Sequence, residues 1–196
     1  FQQTVTATGR LSSTDPNLQN IPVRQQLGAE IRRCFVPRPG WRLIDADYSQ
    51  IELRILAHIA DDPIMKQAFA QGEDVHTVTA SQVFGMPPEF VTPQMRSHAK
   101  AVNFGIVYGI SAFSLSEDIH ISQKEAQGYI DSYLEKYAGV ARYMAEIKEK
   151  ARKDGYVTTL MGRRRYLPEL KSKNFNIRSF GERVALNTPI QGTAAD

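Results

Sequence analysis

Cysteine is almost absent from this sequence of 196 residues, where Cys34 stands alone. A single cysteine excludes an internal disulfide framework and a cysteine-ligated zinc site, and it fits a reducing compartment. The expected role of Cys34 is that of a small buried apolar residue. Long hydrophobic runs are missing too, since no stretch approaches the roughly 18 consecutive apolar residues of a membrane span. The opening FQQTVTATGR has neither the charged start nor the apolar core of a secretory signal, so a cytoplasmic protein with no membrane partner is expected. Phosphate-cradling loops are also lacking. Neither G-x-x-x-x-G-K-[ST] nor G-x-G-x-x-G occurs, so any triphosphate has to be held by side chains. His58, His76, His98 and His120 show no H-x-x-x-H or H-E-x-x-H spacing, which argues against a histidine zinc site. Excess charge is slight: 24 basic against 21 acidic residues give +3, which permits an anionic partner without demanding one.

What is present suits a globular domain, with 42% hydrophobic and 23% charged residues. The segment up to Pro39-Gly40 is polar and turn-rich, and short strands and loops are expected there. WRLIDAD, residues 41–47, has the pattern of a strand ending in an acidic residue. A helix should follow, with Ser49 and Glu52 at capping-box spacing, an apolar face of Ile51, Ile55, Leu56 and Ile59, and Asp62-Pro63 closing it. Helical pieces 64–70 and 75–84 come next, the second introduced by Asp74 as N-cap. Thr92 and Pro93 begin a helix that should run to about Tyr108. Ser122 and Glu125 start a long helical pattern, broken near Ala138-Gly139 and resumed to Gly155. YVTTLMGRRRYL reads as a β-hairpin around Met161-Gly162, and residues 180–196 as a helix adjusted at Pro189. No internal repeat or low-complexity linker is apparent.

Three groups of residues carry chemistry. Asp45 and Asp47 lie two apart at the end of the expected strand, which puts both carboxylates on one face. Magnesium takes one or two protein carboxylates and fills its shell with water and substrate phosphates, although a solvated strand end is the competing reading. In RSHAKAVNFGIVYG, residues 96–109, Arg96, Lys100, Phe104 and Tyr108 recur every four residues. On a helix they form one drifting stripe about 18 Å long. The two cations suit a polyphosphate and the two rings a base and sugar, while Gly105 and Gly109 point to a close approach by another group. The third group is basic and aromatic. Lys153, Arg163, Arg164, Arg165, Lys171, Lys173, Arg178 and Arg183 interleave with Tyr166, Phe175 and Phe180, a pattern equally compatible with a solvated face and with nucleic-acid contact.

Over essentially its whole length the chain resembles the polymerase domain of family A DNA polymerases. DADYSQIELR, residues 45–54, resembles the family's first catalytic motif and RSHAKAVNFGIVYG its second, flanked by TATGRLSSTDPNLQNIP before and GERVALNTPIQGTAAD after. The resemblance implies an α+β right-hand polymerase fold. Residues 1–57 would be the first part of the palm, an antiparallel sheet with helices, 58–180 the mostly helical fingers, and 181–196 a returning palm helix. It implies magnesium-dependent nucleotidyl transfer from a deoxynucleoside triphosphate to a primer 3'-hydroxyl, with primer-template DNA as partner and a bacterial, monomeric parent. By resemblance, Asp47 and the Tyr48 carbonyl bind two Mg²⁺, and Arg96 and Lys100 hold the triphosphate, Lys100 also being a candidate proton donor to pyrophosphate. Gln50, Glu52, His76, Phe104 and Tyr108 complete the nucleotide pocket. Arg10, Asn17, Asn20, Arg183, Asn187 and Gln191 are the implied DNA contacts, Arg10 and Gln191 through the minor groove.

Two residues need weighing against the family pattern. Glu52 is either a helix cap or, by resemblance, the wall beneath the sugar that rejects ribonucleotides, and the second role is preferred. That wall also argues against a single-subunit RNA polymerase, while Asp47, Arg96 and Lys100 together argue against a non-catalytic nucleic-acid-binding module. Phe104, where a tyrosine would offer a hydroxyl, implies poor acceptance of dideoxynucleotides. The family's third motif, with its second metal-binding aspartate, does not occur within these residues, so the 196-residue chain is not expected to polymerise at a useful rate.

Overall fold

A computed structural model of the chain describes residues 1–22 and 26–196. They form two compact units, residues 1–49 with Ala195 and residues 50–194 with Asp196.

In the first unit, Gln2 and Ser12 exchange backbone hydrogen bonds of 2.8 and 3.0 Å as a single antiparallel bridge. A 3-10 turn at Leu18–Asn20 follows, its start capped by the Asn17 side chain on the Gln19 N–H. Helix α1 (Gln26–Arg33) replaces the strands and loops expected there. Its signal is Leu27 and Ile31 at helical spacing with a Glu30–Arg33 ion pair of 2.8 Å one turn long, hidden in the sequence by Gly28 and a preceding proline. Cys34 is exposed rather than buried, its thiol lying 3.6 Å from the Glu30 carbonyl just past the helix end. The strand expected over 41–47 does not form. Period-two hydrophobicity favours an extended chain, but a strand also needs a ladder partner for its backbone groups, and none is present among the described residues. Trp41, Leu43 and Ile44 consequently stand exposed.

The second unit is a stack of helices with one hairpin. Its elements are α2 (Ile51–Ile59), α3 (Pro63–Ala70), α4 (Val75–Phe84), α5 (Pro93–Val107), α6 (Ala112–Ile119), α7 (Gln123–Lys136), α8 (Ala138–Asp154), β1 (Tyr156–Thr158), β2 (Arg164–Tyr166) and α9 (Phe175–Ala195). The fold is therefore mostly helical with a small two-stranded antiparallel sheet, β1 against β2, in which Tyr156 faces Tyr166.

Most boundaries are set by local chemistry. Asp74, Thr92 and Ser122 accept from backbone N–H groups as N-caps, and Ser122 with Glu125 forms a full capping box. Gly85 and Gly155 end α4 and α8 in the left-handed conformation that suits glycine. The box expected at Ser49 and Glu52 is absent: the residue before α2 is Gln50, itself left-handed, with no side-chain cap. Helix α6 had no clear signal because it is only eight residues long, and its Ser111 cap lies one residue beyond the loop that ends α5. Helix α9 begins at Phe175, earlier than expected, because Asn174 caps it through the N–H groups of Asn176 and Ile177.

The main core gathers Leu53 and Leu56 from α2, Met65 from α3, Val75 from α4, Val102 and Ile106 from α5, Leu115 from α6, Tyr133 from α7 and Val140 from α8. A smaller cluster of Ala151, Val157, Leu167, Leu170 and Ala185 seats the hairpin against α8 and α9. Between α3 and α8 lies Asp62, 1% exposed. Its Oδ1 caps α3 at the Ile64 and Met65 N–H groups, 3.1 Å each, and its Oδ2 accepts from Gly139 N at 3.0 Å.

Candidate nucleotide and nucleic-acid site

Helix α5 separates its faces as the four-residue spacing requires. Ala99, Val102, Asn103 and Ile106 are buried, whereas Arg96, Lys100 and Tyr108 are exposed and Phe104 is half-buried. The stripe of two cations and two rings therefore lies on the outward side of a helix whose other side is fixed in the core. Tyr108 closes the helix, its N–H shared between the Phe104 and Gly105 carbonyls, and the Ile110 N–H returns to Gly105 at 2.8 Å. A Cβ on Gly105 would lie 2.6 Å from Ile110 Cγ2, so the close approach expected at this glycine is made by the chain itself. Gly109 is left-handed, and a Cβ there would meet Arg183 Cγ at 3.1 Å.

Helix α4 packs along α5 and supplies His76, which is buried. The His76 ring lies 5.8 Å from that of Phe104, tilted by 43°. Its Nδ1 is 3.2 Å from Asn103 Nδ2, and Asn103 in turn meets Thr79 Oγ1, which is 3.0 Å from Tyr137 Oη. This buried polar chain satisfies groups that would otherwise be costly in a core. Burial pushes the imidazole below its ordinary value of 6.5; Asp74 opposes the shift, and Arg96 and Lys100 add to it. His76 is therefore neutral at neutral pH. Arg96 donates through Nε to Asp74 Oδ2 at 2.5 Å. Partial burial works against the Asp74 charge, but hydrogen bonds from Arg96, Thr77 and the His76 N–H outweigh it and hold the carboxyl below its ordinary range.

Glu52 is not a cap. Its Oε2 accepts from Tyr108 Oη at 2.9 Å, which joins the first turn of α2 to the end of the stripe. Phe104, Gly105, Tyr108 and Ser114 line a cavity of about 590 Å³ whose far side carries Arg183 of α9. That volume is in the usual range for a small-molecule site, about 300–1,000 Å³. On α9, Arg183, Asn187 and Gln191 repeat every four residues. Asn187 Oδ1 is buried with no hydrogen-bond partner among the described residues.

Several of the other expected residues belong to the first unit. Asp45, Asp47 and Tyr48 are exposed within residues 1–49, as are Arg10, Asn17 and Asn20. No group of three or more histidine, cysteine, aspartate or glutamate side chains arranged for a metal occurs among the described residues. Asp196 is taken up by other partners: Thr159 Oγ1 at 2.7 Å and Arg163 at 2.7 Å hold its carboxyl below the usual range. The basic-aromatic segment is largely self-engaged. Arg164 lies 4.2 Å over the Tyr156 ring and 5.9 Å from Tyr166, and Arg178 lies 5.8 Å from Phe175. Asp74 and Asn103 are the polar residues that sequence reading did not place at the site. Asp74 signalled only a cap, and a lone asparagine on the inner face of α5 was the sole hint of the buried chain.

The family model for DNA polymerase family A matches residues 1–196. DNA polymerase I of Bacillus subtilis (strain 168) is 59% identical over all of this chain, and the thermostable DNA polymerase I of Thermus filiformis is 53% identical. The chain spans 22% and 24% of the lengths of those two relatives. Among solved structures, the POL domain of Pol1 from M. smegmatis, in complex with DNA primer-template and dNTP, superimposes with a TM-score of 0.90 at 48% identity. That match covers 100% of this chain and 35% of the other. No helix among the described residues is long and apolar enough to cross a membrane. The chain belongs to the family A DNA polymerases.

Proposed function

We propose that this chain supplies the nucleotide-binding and part of the DNA-binding machinery of a magnesium-dependent, template-directed DNA polymerase. The observation that carries the reading is the α5 stripe, outward-facing and rigidly backed, with Arg96 already held at its start. Arg96 and Lys100 would neutralise the triphosphate, and neutral His76 would donate a hydrogen bond beside them. Phe104 and the cavity next to it would take the sugar and base, with Tyr108 toward the templating position. Glu52, held by Tyr108, would fill the space a 2'-hydroxyl needs, and Gln50 would border the same pocket. On α9, Arg183, Asn187 and Gln191 would contact primer-template DNA. Arg10, Asn17 and Asn20 would add contacts from residues 1–49. Residues 1–57 and 181–196 would be palm and 58–180 fingers, in a monomeric bacterial cytoplasmic enzyme.

The oxygen donors of Asp47 and Tyr48 are of the hard kind magnesium prefers, and substrate phosphates and water would share the shell with them. Bound there, the two ions would supply charge stabilisation for in-line displacement at the α-phosphate. The protein's own share is to orient the triphosphate, exclude the ribose hydroxyl and, through Lys100, offer a proton to the departing pyrophosphate.

Mg²⁺-dependent extension of a primed template tests the reading. We expect little or none from the 196-residue chain, and template-dependent extension when the chain replaces the matching 197 residues of the B. subtilis relative. Asp47→Ala in that chimera should abolish extension, and Lys100→Ala should slow the chemical step by about 10²-fold or more. Full activity of the Asp47→Ala chimera would remove the metal assignment. Phe104→Tyr should raise dideoxynucleotide incorporation relative to the deoxynucleotide by at least about tenfold, and an unchanged ratio would remove the assignment of Phe104.

A further inference from the structure

We infer that Asp74 is a positioning residue for triphosphate binding, one carboxylate that fixes both the start of α4 and the guanidinium of Arg96 on α5. The inference rests on the reading of Arg96 as a triphosphate ligand and adds how that ligand is aimed. Asp74 uses its two oxygens separately. Oδ1 caps α4 through the His76 N–H at 3.1 Å, while Oδ2 accepts from Arg96 Nε at 2.5 Å and from Thr77 Oγ1 at 2.9 Å. His76 and Arg96, 20 positions apart in sequence by their numbering, are thereby tied to the same side chain.

The choice of Nε matters. A guanidinium has five N–H donors, and a single bond at Nε fixes the plane of the group while the end-on pair of Nη atoms keeps the fork geometry that matches phosphate oxygens. Among the described residues Asp74 is the one side-chain partner of Arg96. The pair is about half exposed, 45% for Arg96 and 36% for Asp74, and ion pairs so placed add little to folding stability. Its consequence is geometric: a long flexible side chain is ordered before ligand arrives, so less freedom is lost on binding. A carboxylate beside a triphosphate site also brings repulsion, which makes the sign of its effect the decisive measurement. The cap, the Thr77 bond and the Nε contact all hold the carboxylate back at the α4 terminus, so we expect orientation to outweigh repulsion.

Asparagine caps helices as well as aspartate does. Asp74→Asn therefore keeps the α4 start and removes the charged acceptor for Arg96. Affinity of the 196-residue chain for fluorescent N-methylanthraniloyl-dATP, titrated to millimolar concentration with Mg²⁺, would be measured for the unsubstituted protein, Asp74→Asn, Arg96→Ala and the double variant, with the melting temperature of each. We expect Asp74→Asn to weaken binding about five- to tenfold and to move the melting temperature by less than about 2 °C. In the Arg96→Ala background it should change affinity by less than about twofold, because the group it positions is gone. Unchanged or tighter binding by Asp74→Asn overturns the inference, as does an equal loss with Arg96 absent. Arg96→Ala with full affinity, or no binding by the unsubstituted chain, overturns the triphosphate reading itself and this inference with it. In a second readout, the Arg96 Nε–H resonance should be protected from exchange in the unsubstituted protein and unprotected in Asp74→Asn; equal protection in both counts against the inference.

Discussion

Two acidic residues, Asp62 and Asp74, show how much one side chain can organise when both of its oxygens are used. Asp62 follows the end of α2, caps α3 and accepts from the N–H of Gly139 in the first turn of α8, all while almost wholly buried. Asp62→Ala strands three backbone donors at once, and an unfolding titration should show a loss of about 2–4 kcal/mol. Gly139→Ala tests the same junction from the other side. Its Cβ would lie 2.8 Å from Asp62 Cα and 2.9 Å from the Ala60 carbonyl, both backbone atoms that cannot turn aside, so a loss of comparable size, about 2–3 kcal/mol, is expected. His76 gives a pH dependence. Its pKa in the folded protein lies below 6.5, so the unfolded chain takes up the proton first on acidification. Its contribution to stability is complete above about pH 6.5 and is lost as pH falls from there toward the depressed folded value. Unfolding free energy measured between pH 7.5 and 5 should fall more steeply for the unsubstituted protein than for His76→Gln; parallel curves would show that folding leaves the His76 pKa unshifted.

At the scale of elements, α5 was legible in the sequence to within a residue, and the reason is local. Thr92 and Pro93 carry the start, the Tyr108-Gly109 turn carries the end, and the alternation of Ala99, Val102 and Ile106 with Arg96 and Lys100 carries the two faces. The same kind of signal gave α4, α7, α8 and the hairpin. What was not legible depends on partners far away in sequence. Residues 41–47 have a strand's pattern and no ladder among the described residues, α1 lacked an intrinsic start signal, and the Ser49–Glu52 spacing was overridden when Glu52 took Tyr108 as its partner 56 positions away. Nothing in a linear reading ties Asp74 to Arg96 or Asn103 to His76. The Gly105–Ile110 contact allows a direct test at this scale. Alanine at position 105 gains helix propensity of about 1 kcal/mol but must push Ile110 aside, and overpacking of that size costs about 1–3 kcal/mol. Gly105→Ala should therefore be destabilising alone, and Gly105→Ala with Ile110→Val should recover part of the loss in thermal melts.

For the whole molecule, the buried members of both apolar clusters fall between Leu53 and Ile190, so the second unit closes its core with its own residues. The described residues of 1–49, by contrast, include no large buried hydrophobic side chain of either cluster, and several of their apolar groups, Trp41 and Ile44 among them, are exposed. A protein of residues 50–196 should on that ground unfold in one cooperative transition, because a domain of that size with a continuous core behaves as a two-state unit. Its midpoint in denaturant should match that of the full chain. The functional expectation separates in the same way. The triphosphate donors Arg96, Lys100 and His76 all lie in the retained part, and the proposed magnesium donors Asp47 and Tyr48 do not. Residues 50–196 should therefore bind N-methylanthraniloyl-dATP without these magnesium donors, with an affinity that falls as salt is added, and should lose any added affinity that Mg²⁺ gives the full chain through Asp47. Equal enhancement by Mg²⁺ in both proteins would show that the ion acts on the nucleotide without these residues, and the metal role would then have to be assigned elsewhere.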